Sequence, residues 1–165
     1  MSAIPYAPPS AQERLSILRR TRSVAVVGMS ADPSKASFFV GTYLLSSSCS
    51  FEHVWFVNPR GGEVLGRPVH TSLAELPEAP ELVCVFRRSA DLPAVAEEVV
   101  AIPGTRTFWA QLGLWSDEAA SIAEGAGRRA VMNRCLKIEH ARFAGGLHLA
   151  GFDTGVISSR RRPDL

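Results

Sequence analysis

The sequence lacks the features that most directly announce a compartment or a chemistry. Its three cysteines, Cys49, Cys84 and Cys135, are odd in number and far apart, so they give neither a disulfide framework nor a Cys-x-x-Cys metal site, and a reducing, cytoplasmic setting is expected. No apolar run approaches the roughly 20 residues of a membrane span. The first residues carry Pro5, Pro8 and Pro9 and then charges, where a secretory signal would need an apolar core. Neither sign of charge dominates: 18 Lys and Arg against 16 Asp and Glu leave a net +2. Without a Lys/Arg stripe interleaved with aromatics, nucleic acid is not the expected partner. The dense basic run Arg160 to Arg162 sits in the tail and reads as a solvated end. His53, His70, His140 and His148 are dispersed and match no metal spacing, and no internal repeat is visible.

At 165 residues, 46% hydrophobic and 21% charged, the chain has the size and composition of one globular domain. Residues 1–9 read as an N-terminal arm. Ser10 with Glu13 resembles a capping box that opens a helix ending near Arg19 and Arg20. Val24 to Val27 is a continuous apolar run, as expected of a strand covered on both faces. After Gly28 a helical pattern extends from Ser37 to Ser46. Further strands are expected at 54–57, 82–86, 105–109 and 129–132, with helices at 91–102, 117–125 and 136–143. Residues 64–69 read as a short extended detour and 73–76 as a short helix closed by Pro77.

Strands alternating with helices predict an α/β fold: a Rossmann-like, three-layer domain over residues 10–143, with a mainly parallel sheet of about five strands. Residues 144–165 form a Gly- and Arg-rich C-terminal extension. In such sheets ligands lie outside the carboxyl ends of the strands, which directs attention to the residues that follow each strand.

Gly28, Ser30, Lys35 and Ser37 surround the first turn. Gly28 permits close backbone approach and Lys35 can meet a phosphate as a point charge; a tight turn with Lys35 in water is the plainer alternative. The full G-x-G-x-x-G pattern is absent, as is the acidic residue after the second strand that would bind a ribose hydroxyl. Asn58-Pro59-Arg60 stands there instead, either favouring a ligand with extra phosphate or simply turning the chain. Arg87 and Arg88 follow the third strand, where an arginine fork suits phosphate. Trp109, Gln111 and Gly113 follow the fourth, and Asn133, Arg134 and Cys135 the fifth. Trp109 and Cys135 also suit a core, and a Cys135–His140 pair on one helix is more simply coincidence than a nucleophile. No catalytic set emerges, so an enzyme is not the leading expectation.

These pieces in order resemble the CoA-binding domain family, in its small stand-alone YccU-like form. The matching segments are Val-Ala-Val-Val-Gly-Met-Ser with Lys35-Ala36-Ser37, Val57-Asn58-Pro59, Val85-Phe86-Arg87-Arg88, and Trp109-Ala110-Gln111-Leu112-Gly113. The last and most specific is Met132-Asn133-Arg134-Cys135-Leu136-Lys137-Ile138-Glu139-His140. The resemblance implies a fold similar to the CoA-binding domain of the succinyl-CoA synthetase α subunit, with coenzyme A across the carboxyl edge. It implies that Gly28, Ser30, Lys35 and Ser37 contact phosphates and that Asn58 and Pro59 frame the adenosine end. Val85, Phe86 and Arg87 would line the middle of the cleft, and Gln111, Gly113, Asn133 and Cys135 would approach the pantetheine path.

The chain has no segment like the larger synthetases' phosphorylated histidine, so ligation of acyl-CoA is not expected. The expected function is non-catalytic binding of CoA or an acyl-CoA, as carrier or sensor, by a monomer or homodimer. An NAD(P)-dependent oxidoreductase and a ligand-free interaction domain are the rivals.

Overall fold

The computed structural model describes residues 5–46 and 49–144. The C-terminal extension beyond Ala144, with Arg160 to Arg162 and His148, lies outside the described residues, as do the first four residues of the arm. Five helices and seven strands follow in order: α1 Ala11–Arg20, β1 Ser23–Val27, α2 Ala36–Leu44, β2 His53–Val57, β3 Glu63–Val64, β4 Arg67–His70, β5 Leu82–Val85, α3 Leu92–Val100, β6 Thr107–Ala110, α4 Asp117–Gly125, β7 Arg129–Val131 and α5 Leu136–Ala144. A short 3-10 turn spans Leu73–Glu75, within the segment expected to be helical.

The strands form one sheet in the order β3-β4-β2-β1-β5-β6-β7. All neighbours are parallel except β3 and β4. The α/β Rossmann-like architecture is therefore the one expected, but the sheet has seven strands where about five were anticipated. The two extra strands come from the expected detour, folded into a hairpin whose tip, Leu65 and Gly66, has φ of 54° and 75°. Both tip residues being left-handed matches the tight turn that two-residue hairpins need.

Alternation along β1 builds the two halves of the core. Val24 and Val26 face α1, α2 and α5, packing with Ile17, Val40, Leu44 and Leu136. Ala25 and Val27 face α3 and α4, packing with Leu92, Val95, Ala96 and Ala120. Because every residue of β1 is buried, the strand reads as an unbroken apolar run rather than an alternating one.

Local chemistry sets the helix ends. Ser10 Oγ accepts from the Glu13 N–H at 3.2 Å while Glu13 accepts from the Ser10 N–H at 3.1 Å, completing the capping box. Ser116 Oγ accepts from the Ala119 N–H at 3.0 Å at the start of α4. Residues 5–9 run without regular structure along β7, where Tyr6 donates its hydroxyl to the Ala130 carbonyl at 2.7 Å. Trp109 is wholly buried, and its indole N–H donates to the Arg134 carbonyl at 2.8 Å, so the segment after β7 is held against β6.

Candidate functional site

From β1 the chain crosses to β2 on one side, and it later returns to place β5 on the other side of β1. The carboxyl ends of β1 and β5 are thus a topological switch point, where loops diverge and leave a crevice. A cavity of about 690 Å³ opens there, lined by Ala36 and Val40 from α2, Phe86, Arg87, Arg88 and Asp91 after β5, Gln111, Leu112 and Leu114 after β6, and Cys135 after β7.

Gly28 makes the crevice possible. Its φ is +87°, and a Cβ built on it would lie 2.2 Å from the Phe86 carbonyl oxygen. The N–H groups of Gly28 and Met29 both donate to the Val57 carbonyl, at 2.9 and 3.2 Å, fixing the turn against the end of β2. The loop that follows is internally bonded. The Ser30 N–H donates to Ser37 Oγ at 3.0 Å, and Ser30 Oγ accepts from the Asp32 N–H at 3.0 Å. Bonds from the Ser34 N–H and hydroxyl hold the Asp32 carboxyl below its usual range, with a smaller contribution from Lys35.

Lys35 is exposed at the N-cap of α2 and makes no side-chain capping bond. The first turn of α2 therefore offers backbone N–H groups beside a free cation, the ordinary makings of an anion site. Ser37, by contrast, is buried with its hydroxyl already engaged by the loop.

Asn58 is similarly occupied. Its amide nitrogen donates to the Met29 carbonyl at 2.9 Å and its oxygen accepts from the Arg60 N–H at 2.9 Å. It joins the turns after β1 and β2, with exposed Pro59 beside it, and so shapes that end of the crevice. Val85 is in the core, fully buried, with its carbonyl accepting from the Gln111 N–H at 3.4 Å. Phe86 and Arg87 are half-buried and do line the cavity.

Asp91 lies 3.8 Å from Arg87 Nη2 and 3.2 Å from Arg88 Nε. This carboxylate was not singled out from the sequence, although its i+4 and i+3 spacing from the two arginines is the signal of such a pairing. Leu112 and Leu114 were also missed as cavity lining, and Leu112 is 65% exposed. Gly113, at φ +89°, donates its N–H to Asn133 Oδ1 at 2.7 Å. Asn133 itself has φ of 59°, a conformation asparagine tolerates better than most residues. These two exposed residues tie the loops after β6 and β7 together and are not part of the cavity lining.

Gln111 is 4% exposed, and its carbonyl oxygen accepts from the Leu136 N–H at 2.9 Å and from the Cys84 thiol at 3.2 Å. Burial pushes the Cys84 thiol well above its ordinary pKa, so it stays a donor. A second cavity, of about 600 Å³, lies between the N-terminal arm and α4. Its lining cation, Arg129, is paired with Glu124 at 2.7 Å and Glu13 at 3.5 Å, which leaves the crevice at the strand ends as the better-suited anion site.

Residues 22–141 match the sequence pattern of the CoA binding domain family. The chain belongs to the CoA-binding domain family. It is 38% identical over 133 residues to the uncharacterized protein YneT of Bacillus subtilis (strain 168), covering 81% of this chain and 96% of that protein. Among solved structures it is similar to Prb, a protein described as PH1109 redesigned for binding, at 31% identity and a TM-score of 0.78, covering 86% of this chain and 96% of Prb. It is also similar to ID.343 from Thermus thermophilus, at 32% identity and a TM-score of 0.74, covering 82% of this chain and 99% of the other.

In this CoA-binding domain the sequence neighbours Cys135 and His140 serve different places. His140 Nδ1 is 2.7 Å from the Tyr43 hydroxyl, and its Nε2 faces Ser50 Oγ at 3.4 Å and Cys49 Sγ at 4.0 Å. Burial lowers the His140 pKa and raises that of the Cys49 thiol, so the pair rests as neutral imidazole and thiol. The unfolded chain then binds a proton more readily than the native one. Stability contributed by His140 is present above its unfolded pKa of about 6.5 and is lost as pH falls through the lower folded value. The urea midpoint should decline on acidification below about pH 6.5, and His140→Gln should flatten that decline. An unaltered pH profile in the variant would assign the decline to other groups.

Proposed function

We propose that this protein binds CoA or an acyl-CoA across the carboxyl edge of its sheet, as a carrier or sensor with no catalysis of its own. The observation that carries the reading is the composition of the cleft in a member of this family. The N-terminus of α2 with Lys35, and Arg87 with Arg88, provide for phosphates at the switch point. Val40, Phe86, Leu112 and Leu114 then give an apolar path toward Gln111 and Cys135. A ligand with a charged nucleotide and a long, weakly polar arm fits that gradient. Phosphate would meet the first turn of α2 and Lys35, while Gly28 and Ser30, whose N–H groups bond to Val57 and Ser37, would with Ser37 and Asn58 hold the shape of the loops around it. Such a role suits a cytoplasmic protein.

Native mass spectrometry with CoA, dephospho-CoA and NADP in separate samples tests the ligand class. Retention of CoA over the other two is expected. Lys35→Ala and Arg87→Ala should each weaken CoA binding by about 1 to 3 kcal/mol, roughly 5- to 150-fold, through loss of a charge-assisted contact. Unchanged affinity in both variants would remove this placement, and NADP binding alone would replace CoA with a reductase cofactor.

A further inference from the structure

The wall of the cleft contributed by β6 and β7 contains a polar side chain engaged through only one half of its amide. Gln111 is nine-tenths buried, yet lines the cavity. A backbone N–H can only donate, so the bond from Leu136 fixes the amide oxygen against the start of α5 and leaves the NH2 half for the cavity. Among the described residues, that NH2 has no hydrogen-bond partner. Open to the cavity rather than sealed in the core, it is placed to donate to an acceptor that a ligand brings.

Cys135 lines the same cavity and immediately precedes α5, its carbonyl accepting from the Glu139 N–H at 3.0 Å. If the cleft takes CoA, on which reading the inference rests, the pantetheine arm brings amide carbonyls for Gln111 and, beyond them, a sulfur for Cys135.

We propose that Cys135 captures CoA covalently by thiol–disulfide exchange with a CoA-containing disulfide, with Gln111 as the residue that positions the arm. The Cys135 thiol gives its proton to solvent, and its sulfur attacks the CoA sulfur of CoA–S–S–R. The S–S bond breaks, Cys135–S–S–CoA forms, and the R thiolate leaves and is protonated. The incoming disulfide supplies the oxidising equivalents, so no other oxidant enters. Neither of the other cysteines is suited to this: Cys84 is wholly buried with its thiol engaged by Gln111, and Cys49 lies beside His140 outside the cleft.

The test is intact mass under non-reducing conditions, with peptide mapping, after separate incubations with CoA disulfide and glutathione disulfide. A single CoA adduct on Cys135 is expected, reversible by dithiothreitol, absent in Cys135→Ser, and formed at least about tenfold faster than the glutathione adduct. Gln111→Glu keeps the acceptor for Leu136 but loses the donor, and should bring the CoA rate down toward that of glutathione. An adduct that survives Cys135→Ser, equal rates for the two disulfides, or no adduct at all overturns the inference. Native mass spectrometry of Cys135→Ser with reduced CoA separates the two levels. Retained binding with no adduct in the unmodified protein defeats only the covalent step, whereas lost binding in both proteins defeats the CoA site as well.

Discussion

Gly28→Ala is expected to destabilise the protein by about 2 to 5 kcal/mol and to abolish CoA binding by the fraction that still folds. Two separate costs meet at one atom. A non-glycine residue at φ +87° carries roughly 1 to 2 kcal/mol of backbone strain. The new Cβ also falls 2.2 Å from the Phe86 carbonyl oxygen and 3.0 Å from its carbon. Because these are backbone atoms next to a fully buried strand, no side chain can swing aside, and overpacking of this kind costs about 1 to 3 kcal/mol more. Relief must come from parting the ends of β1 and β5, which moves Phe86 and Arg87, two of the residues that line the cleft. The urea midpoint at unchanged m-value measures the first effect, and CoA titration below that midpoint the second. A loss under about 1 kcal/mol would mean that the two strand ends part at little cost.

The same turn explains why so much of the fold was legible. In β1, β5 and β6 every residue is buried, so each stands out as an apolar run, and turn and helix signals punctuate the chain between them. The family resemblance and the strand-end rule then drew attention to the edge of the sheet at which the cavity lined by Phe86, Arg87, Gln111 and Cys135 opens. The hairpin of β3 and β4 was less legible for a physical reason. It is short, it contains Pro68 at the sheet margin, and it turns through Leu65 in a left-handed conformation where leucine gives no warning.

Within the site, residue type alone did not separate groups free for a ligand from groups already engaged. Ser37 and Asn58 look like ligand contacts in sequence, yet their polar atoms bond to the loops they hold together. Gln111 reaches Leu136 and Cys84 across 25 and 27 residues, so the direction in which its amide faces is a tertiary property. His140 likewise finds Tyr43 across 97 residues rather than the cysteine five positions before it.

Glu139→Ala should cost about 3 to 5 kcal/mol, the range for breaking a buried ion pair from one side. Glu139 is buried on α5 and accepts from Arg14 Nε of α1, while Arg142 Nη1 lies 3.3 Å from its other oxygen. Arg14 is buried too and donates a further bond to the Pro9 carbonyl at 2.9 Å. Removing the carboxylate therefore strands a guanidinium that has little water to turn to, and weakens the tie between α1 and α5. Replacing all three, as Arg14→Met, Glu139→Leu and Arg142→Met, should recover most of the loss, since apolar side chains of similar size often match a buried ion cluster in stability. The two variants divide stability from orientation. Leu136 and Cys135 stand at the same end of α5 as Glu139, whose N–H donates to the Cys135 carbonyl, so a cluster that sets the helix's position also sets the Gln111 bond and the thiol in the cleft. Weaker CoA binding in the stable triple variant would show that the ions fix the geometry of α5. Full binding in that variant would mean that apolar packing of Leu136 and Phe143 alone is enough to place it.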